Sequence, residues 1–288
     1  MSPRRGWRRG ARVGLAAIAV AYCLFPIYFM AVQALKTPRE HLLGNALIVT
    51  QPSLENFVAL FALPGQARRL FGGAVRRSYA TWLANTLIVL AASLAISLVL
   101  ATLAAYALGH LRPPGYRWWR RAIFATYVVP HTILFVPLYQ VILQLGLDDR
   151  LLGLLLVYPA MALPFCIWIL SIYFEHLPRE LEEAALVEGA TRRTVFFRII
   201  LPMSRSVVDA AGIFTLGTVA ADLTFASVFL VSRETQTVAV GLAARGSIVD
   251  QPLALAGINA MALPVVLACV LFARDYARGL TAAMTEGG

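Results

Sequence analysis

Residues 13–35, 78–109, 122–147, 151–174 and 253–273 contain no Asp, Glu, Lys or Arg, and each run is long enough to cross a bilayer as a helix. About 20 apolar residues suffice for one crossing. Lipid offers no partner to an unpaired backbone group, so such runs must be helical. A sixth run, 206–232, is interrupted only by Asp209 and Asp222. The expected fold class is therefore all-α, a polytopic membrane protein with six transmembrane helices. Composition agrees: 59% of the residues are hydrophobic and 14% charged, where soluble domains hold about 25% charged residues. An ordinary soluble enzyme, a disordered tail and a disulfide scaffold are excluded. Pro26, Pro130, Pro137, Pro159 and Pro164 fall inside the runs and are expected to kink them, because proline removes a backbone donor and crowds the preceding turn.

The formal charge of +10 is explained by Arg flanking the spans rather than by nucleic acid, since no basic stretch is interleaved with stacking aromatics. Placing the N-terminus inside puts sixteen of the 25 basic residues on the cytoplasmic side, so both termini are expected in the cytoplasm. Arg4 to Arg12 before the first run also resemble the charged region of a signal peptide. The apolar run is too long for one, and an uncleaved first helix is expected. Six of the outer basic residues, among them Lys36, Arg68, Arg69, Arg76 and Arg77, lie in the long first loop. That loop also holds Pro52, Pro64, Gly65, Gly72 and Gly73, which predict turns and short surface helices. Cys23, Cys166 and Cys269 lie far apart in apolar runs and read as lipid-facing or core residues, without metal-ligand spacing. The organisation expected is a first helix and outer loop over 1–80, a five-helix core over 81–275 and a tail over 276–288.

The segment 175–205, between the fourth and fifth runs, does not read as a passive linker. Pro178 followed by Glu180, Glu182 and Glu183 opens a helix correctly, and Gly189 supplies a stop or a left-handed turn. Thr191 can cap a second helix in which Val195, Phe196, Ile199 and Ile200 recur at helical spacing, with Leu201 and Pro202 ending it. An amphipathic interfacial linker would fit this pattern. The small pair Ala184 and Ala185 also suits close approach by a partner in the cytoplasm.

In the fifth run Asp222 is the charged side chain placed well inside the membrane, where a carboxylate costs about 2.5–3.5 kcal/mol and usually faces a bundle interior or a cavity. Asp209 lies about 20 Å away along a helix axis, near the cytoplasmic interface. Thr215, Thr218, Phe225 and Phe229 share one helical face with Asp222. Hydroxyls, a carboxylate and ring faces together suit a sugar. The same residues also fit ordinary packing, with the threonines bonded to their own helix and Asp222 paired with a neighbour. His131 beside Pro130 suits one helix-to-helix hydrogen bond, or a proton carrier, while His41, His110 and His176 lie at or beyond the span ends and form no metal set.

Glu183, Ala184, Ala185, three residues, Gly189, nine residues, Ile199, one residue, Leu201 and Pro202 together resemble the coupling-loop motif of the membrane-spanning subunits of bacterial ABC importers. The stretches at Leu35 to Pro38, Glu55 to Phe57, Leu145 to Leu147, Leu263 to Pro264 and Arg278 to Leu280 are similar to the carbohydrate branch, of the maltose-permease second-subunit type. The branch differs where this chain reads Ala220, Ala221, Asp222, Leu223 and again at the tail, 282–287. The resemblance implies a type I permease core in the bacterial inner membrane and a loop whose Glu183, Ala184, Ala185, Gly189, Ile199, Leu201 and Pro202 meet an ATPase. It also implies a second homologous permease forming a heterodimer, an ATPase dimer carrying ATP and Mg, an extracytoplasmic solute-binding protein and surrounding lipid. No cofactor is expected in this chain, which has no phosphate-binding loop of its own, and no enzymatic role. The expected solute is a di- or oligosaccharide, with glycerol-3-phosphate or another polyol, or a self-sufficient secondary transporter, as the alternatives.

Overall fold

The computed structural model describes residues 3–61, 78–243 and 251–286. The features anticipated at Pro64, Gly65, Arg68, Arg69, Gly72, Gly73, Arg76, Arg77 and Gly287 lie outside the described residues. The chain folds into helices joined by turns, with no strand among the described residues. In order these are α1 (Pro3–Ala34), α2 (Pro38–Leu43), α3 (Glu55–Phe61), α4 (Ser78–Ala105), α5 (Tyr116–Val128), α6 (His131–Gln144) and α7 (Leu151–Glu175). Then follow α8 (Arg179–Val187), α9 (Arg192–Val195), α10 (Arg205–Ala221), α11 (Thr224–Phe229), α12 (Val238–Ala243) and α13 (Gln251–Glu286). Among the described residues four helices are long and apolar enough to cross a membrane, and two bent pairs raise the number to six if each pair is one span.

The chain divides into two compact units, Met1–Thr81 with Gly241–Ala262, and Trp82–Val240 with Leu263–Gly288. In the first unit α1 is exposed along most of its length, with Leu15, Ile18 and Tyr22 facing outward. The chain after it is tied back by side chains that replace missing backbone partners. Asn56 Nδ2 donates to the carbonyls of Ala34 and Lys36, both at 2.8 Å. The Lys36 ammonium, only 1% exposed, donates to Asn45 O at 2.5 Å. Lys36, read from sequence as one of the outer-loop charges, is thus a buried tie. Tyr79 Oη donates to Gly257 O at 2.7 Å, where a Cβ on Gly257 would stand 2.7 Å from Leu242 Cδ1.

In the second unit α7 is the central helix. Around one half of it Leu154, Tyr158, Leu216, Phe225, Phe229 and Val89 form a core cluster. Around the other half Ala162, Cys166, Leu170, Phe174, Phe196 and Ala211 form a second. Lipid is as apolar as leucine, so such association rests on close packing and hydrogen bonds rather than on expulsion of water. Small residues at the contacts follow from this. Cys166 is fully buried beside Ala211 and Thr215, while Cys23 is exposed and Cys269 half-buried.

Two of the expected continuous spans are broken. The third does not merely kink at Pro130: it separates into α5 and α6, bent by 99°. Pro130 has no N–H, and the residue before a proline is pushed out of the helical region; Val129 is extended, φ −69° and ψ 123°. The single fifth span expected over 206–232 ends at Ala221, because Asp222 is itself extended, φ −79° and ψ 125°, and a new helix begins at Thr224. The other expected kink sites, Pro26, Pro137, Pro159 and Pro164, lie inside helices.

Past Ala105, α4 widens into a π-helical turn over Tyr106–Leu111 and closes on Arg112 at φ 51°. This turn seats Gly109 so closely on α7 that a Cβ would stand 2.3 Å from Ser171 O and 3.0 Å from Phe174 Cβ. Gly109→Ala is therefore expected to lower the melting temperature of the detergent-solubilised protein, overpacking costing about 1–3 kcal/mol. Gly217→Ala, where an added Cβ meets nothing within 4 Å, should leave it unchanged or raised; equal melting of the two variants would contradict this packing.

Candidate functional site

The segment 175–205 folds as its local chemistry dictates. Pro178 precedes the first turn of α8, and Glu180 and Glu182 lie in that turn, where the helix dipole favours them. The helix ends in a Schellman motif: Ala190 N donates to Ala185 O at 2.9 Å and Gly189 N to Leu186 O at 3.0 Å. Gly189 sits at φ +87°, with nothing within 4 Å of an added Cβ, so glycine is required there for conformation and not for space. Thr191 Oγ1 accepts from Thr194 N at 3.2 Å and caps α9. The helix then widens through a π-helical turn, Phe196–Ile200, and runs on through Leu201–Met203. Pro202 does not end it: the break falls at Ser204, followed by a bend of 73° into α10.

The two faces of α8 are unlike. Glu183, Ala184, Val187, Glu188 and Gly189 are exposed, Val187 at 88%. Ala185, Leu186 and Ala190 pack on the second core cluster, as does Ile199. Leu201 is half-buried, and Pro202 exposed. The small pair is therefore split, Ala184 outward and Ala185 inward. The inward face also carries an anchor that sequence reading missed. Glu182 Oε2 meets Nε2 of His110, a buried residue of the α4 π-turn stacked on Tyr106 at 5.3 Å. Nearby, Glu175 pairs with Arg120, and Arg112 Nη2 donates to Glu175 O at 2.6 Å. His110 and Glu182 are 72 residues apart, so no local pattern announces the pair.

The second candidate set is not one continuous helical face, because the break at Asp222 divides it. Thr215 and Thr218 lie on α10, and their hydroxyls donate to Ala211 O and Phe214 O, both at 2.9 Å. Asp222 accepts from Tyr158 Oη at 2.8 Å and from the backbone N–H groups of Phe225 at 3.4 Å and Ala226 at 3.2 Å. It thus caps α11 while tying it to α7. Phe225 and Phe229 are buried beyond the break, against Phe135 at 5.5 Å and Tyr139 at 5.6 Å. His131 opens α6, half-buried and edge-on to Tyr127 at 6.1 Å.

A further tie escaped sequence reading. Asp149, at φ 53°, accepts through Oδ1 from Val231 N and Ser232 N at 2.9 Å and from Thr235 Oγ1 at 2.6 Å. Its own N–H donates to Phe229 O. The hydroxyl and backbone donors around it hold this carboxyl down to about 2.

The chain matches the family of binding-protein-dependent transport system inner membrane components over residues 97–278. It is 30% identical over 283 residues to the inner membrane ABC transporter permease protein YcjP of Escherichia coli strain K12, covering 97% of each chain. It is 28% identical over 277 residues to the trehalose transport system permease protein SugB of Mycobacterium tuberculosis, covering 95% of this chain and 96% of the relative. Its fold is similar to a chain of a bacterial ABC transporter involved in the import of the acidic polysaccharide alginate, with a TM-score of 0.74, 19% identity and coverage of 95% and 98%.

Glu182→Ala leaves the buried His110 ring without its partner and should lower thermal stability by about 1–3 kcal/mol, most of it restored in Glu182→Gln. An unshifted melting curve in the alanine variant would rule the anchor out. Because the Asp149 carboxyl titrates lower in the folded chain than its ordinary 3.8, its contribution is complete above that value and is lost as pH falls toward about 2. The extra hydrogen-exchange protection of residues 229–235 over the Asp149→Asn variant should stay constant between pH 8 and pH 5 and vanish only in strong acid; convergence near neutral pH would refute the assignment.

Proposed function

This chain belongs to the binding-protein-dependent transport system inner membrane components, and from that premise we propose that it is the permease subunit of an ATP-driven importer for a di- or oligosaccharide. The observation that carries the proposal is the two-faced helix α8. Its inward face is locked to the core through Ala185, Leu186, Ala190 and the Glu182–His110 anchor, while Glu183, Ala184, Val187 and Glu188 stand outward around the Gly189 turn. The glutamates keep this face out of lipid, and the protruding Val187 beside the small Ala184 makes a knob for a cleft in a partner. That partner is the ATPase subunit, two copies of which bind ATP and Mg and close against this loop. Ile199 holds the exit of the loop on the core, and Leu201 and the exposed Pro202 continue that exit toward the break at Ser204.

The remaining assignments follow in the same reading. Both termini and α8 face the cytoplasm, where the arginines concentrate. A homologous permease completes a heterodimer, and a solute-binding protein docks on the opposite side, which includes the Asp149 tie. Thr218 and the half-buried Asp222 border the solute path, while Thr215, Phe225 and Phe229 shape it from the core behind them. The relation to a trehalose permease over nearly the whole chain supports a sugar. A self-sufficient carrier would need carboxylates gathered around an ion, whereas Asp222, tied to Tyr158 and two backbone N–H groups, keeps acceptor capacity for a solute hydroxyl and no more.

Gly189 provides the test. In the reconstituted transporter Gly189→Asp, which puts a charge on the exposed turn, should abolish stimulation of ATP hydrolysis by the loaded binding protein, while Gly189→Asn, of nearly the same size, uncharged and equally tolerant of a left-handed backbone, should keep a large part of it. Full stimulation in the aspartate variant would sink the coupling role.

A further inference from the structure

Five aromatic side chains outside the two candidate sets gather where α5, α7 and α10 converge. Phe165 of α7 lies 4.1 Å from Phe214 of α10, and Phe124 of α5 lies 4.6 Å from Trp168 of α7. Tyr127 of α5 joins the two pairs, 6.1 Å from Phe124 on one side and 5.5 Å from Phe165 on the other. All five are half-buried: packed against one another on one side and open on the other. The rings of the core, such as Phe225, Phe229 and Phe174, are by contrast closed off almost completely.

From these open rings a line of side chains runs inward to the buried Tyr158. On α7, Tyr158, Met161, Phe165 and Trp168 follow one another at spacings of three and four, a single helical stripe. Phe214 and Thr218 on α10, and Asp222 just past its last residue, do the same at spacings of four. The stripes touch at both ends, through the Phe165–Phe214 contact and through the hydrogen bond from Tyr158 Oη to Asp222 at 2.8 Å. Over about 12 Å along α10, the surface passes from aromatic faces to a hydroxyl and a carboxylate. A pyranose ring has matching chemistry. Its C–H face is apolar and slightly positive and stacks on the negative face of an aromatic ring. Its rim of hydroxyls needs hydrogen-bond partners once it leaves water.

We propose that Phe124, Tyr127, Phe165, Trp168 and Phe214 form a stacking platform for the pyranose rings of the transported solute, a binding subsite in this subunit that continues from Thr218 and Asp222. It rests on the sugar-importer reading above and deepens it. The platform holds the apolar ring face while the sugar moves past, so it sets how well a saccharide is carried without changing how the ATPase is driven.

The test uses the complete transporter in proteoliposomes, with radiolabelled trehalose and maltose as probes and glycerol-3-phosphate as the non-sugar control. Uptake and binding-protein-stimulated ATP hydrolysis are measured together. Trp168→Ala and Tyr127→Ala should each reduce disaccharide uptake about tenfold, the effect of about 1.4 kcal/mol of lost stacking, with ATP hydrolysis within about twofold of wild type. Trp168→Phe and Tyr127→Phe, which keep a ring, should carry sugar within about twofold. Wild-type uptake in the alanine variants would overturn the platform, as would a parallel loss of uptake and ATP hydrolysis, which is the mark of rings that only anchor the helices in the membrane. Wild-type transporter that carries glycerol-3-phosphate and neither disaccharide would instead overturn the sugar reading itself, and the platform with it.

Discussion

A helix broken inside a membrane must have its freed backbone groups satisfied by the protein, because lipid supplies no donors or acceptors. Much of the second unit is organised by that requirement. The interruption after Ala221 frees the first N–H groups of α11, and Asp222 accepts two of them while Tyr158 fixes its carboxylate to α7. The irregular stretch that follows is held in the same way by one face of α4. Trp82 Nε1 donates to Arg233 O, Asn85 Nδ2 to Glu234 O and Gln236 O, and Thr86 Oγ1 accepts from Val238 N. Asp149 captures the N–H groups of Val231 and Ser232 from the other side. Polar residues that look costly in an apolar run are there because an unpaired backbone group would cost more.

The loop at the other end uses capping rather than rescue. Gly189 and Thr191 end one short helix and start the next within three residues, and the packing of Ala185, Ala190, Val195 and Ile200 leaves the pair little freedom to hinge. The Glu182–His110 contact and the Arg120–Glu175 pair add charged or polar ties to α4, α5 and α7. A load applied to the exposed face of α8 therefore reaches α4 directly through Glu182–His110, and α7 and α5 through the short connection from α8 back to Glu175 and its pair with Arg120.

Which parts of this were legible in the sequence follows from the range of the physics. Gly189 as a left-handed turn and Thr191 as a cap are decided by neighbours within a few residues, and both were predicted. The spans themselves are legible because hydropathy needs no partner. The break at Asp222 was not, because a continuous helix and a capped restart bury the same residues; the difference lies in Tyr158, 64 residues away. The His110–Glu182 anchor and the Asp149 tie are equally non-local, at 72 and 82 residues. Lys36 was read as a loop charge because its acceptor is a backbone carbonyl, which leaves no mark in composition. The break at Pro130 was half legible: proline demanded a distortion, and only the surrounding packing decides between a kink and a right-angled turn.

These interactions give α7 a particular mechanical position. It stays helical from Leu151 to Glu175 in spite of Pro159 and Pro164, so about 25 Å of it separates Tyr158 from Glu175. At the Glu175 end it is held by Arg112 and Arg120 and by the close seat of Gly109 on Ser171; at the Tyr158 end it holds the carboxylate on which the start of α11 depends. Where such a continuous helix is densely packed, it passes a displacement at one end along its length. Movement of the α8 region would therefore be delivered to the Asp222 break as a shift of the Tyr158 hydroxyl, and a bond of 2.8 Å leaves little slack. The same helix carries Phe165 and Trp168 between these two ends, so the aromatic rings would move with it and the surface offered to a solute would change as the loop is driven.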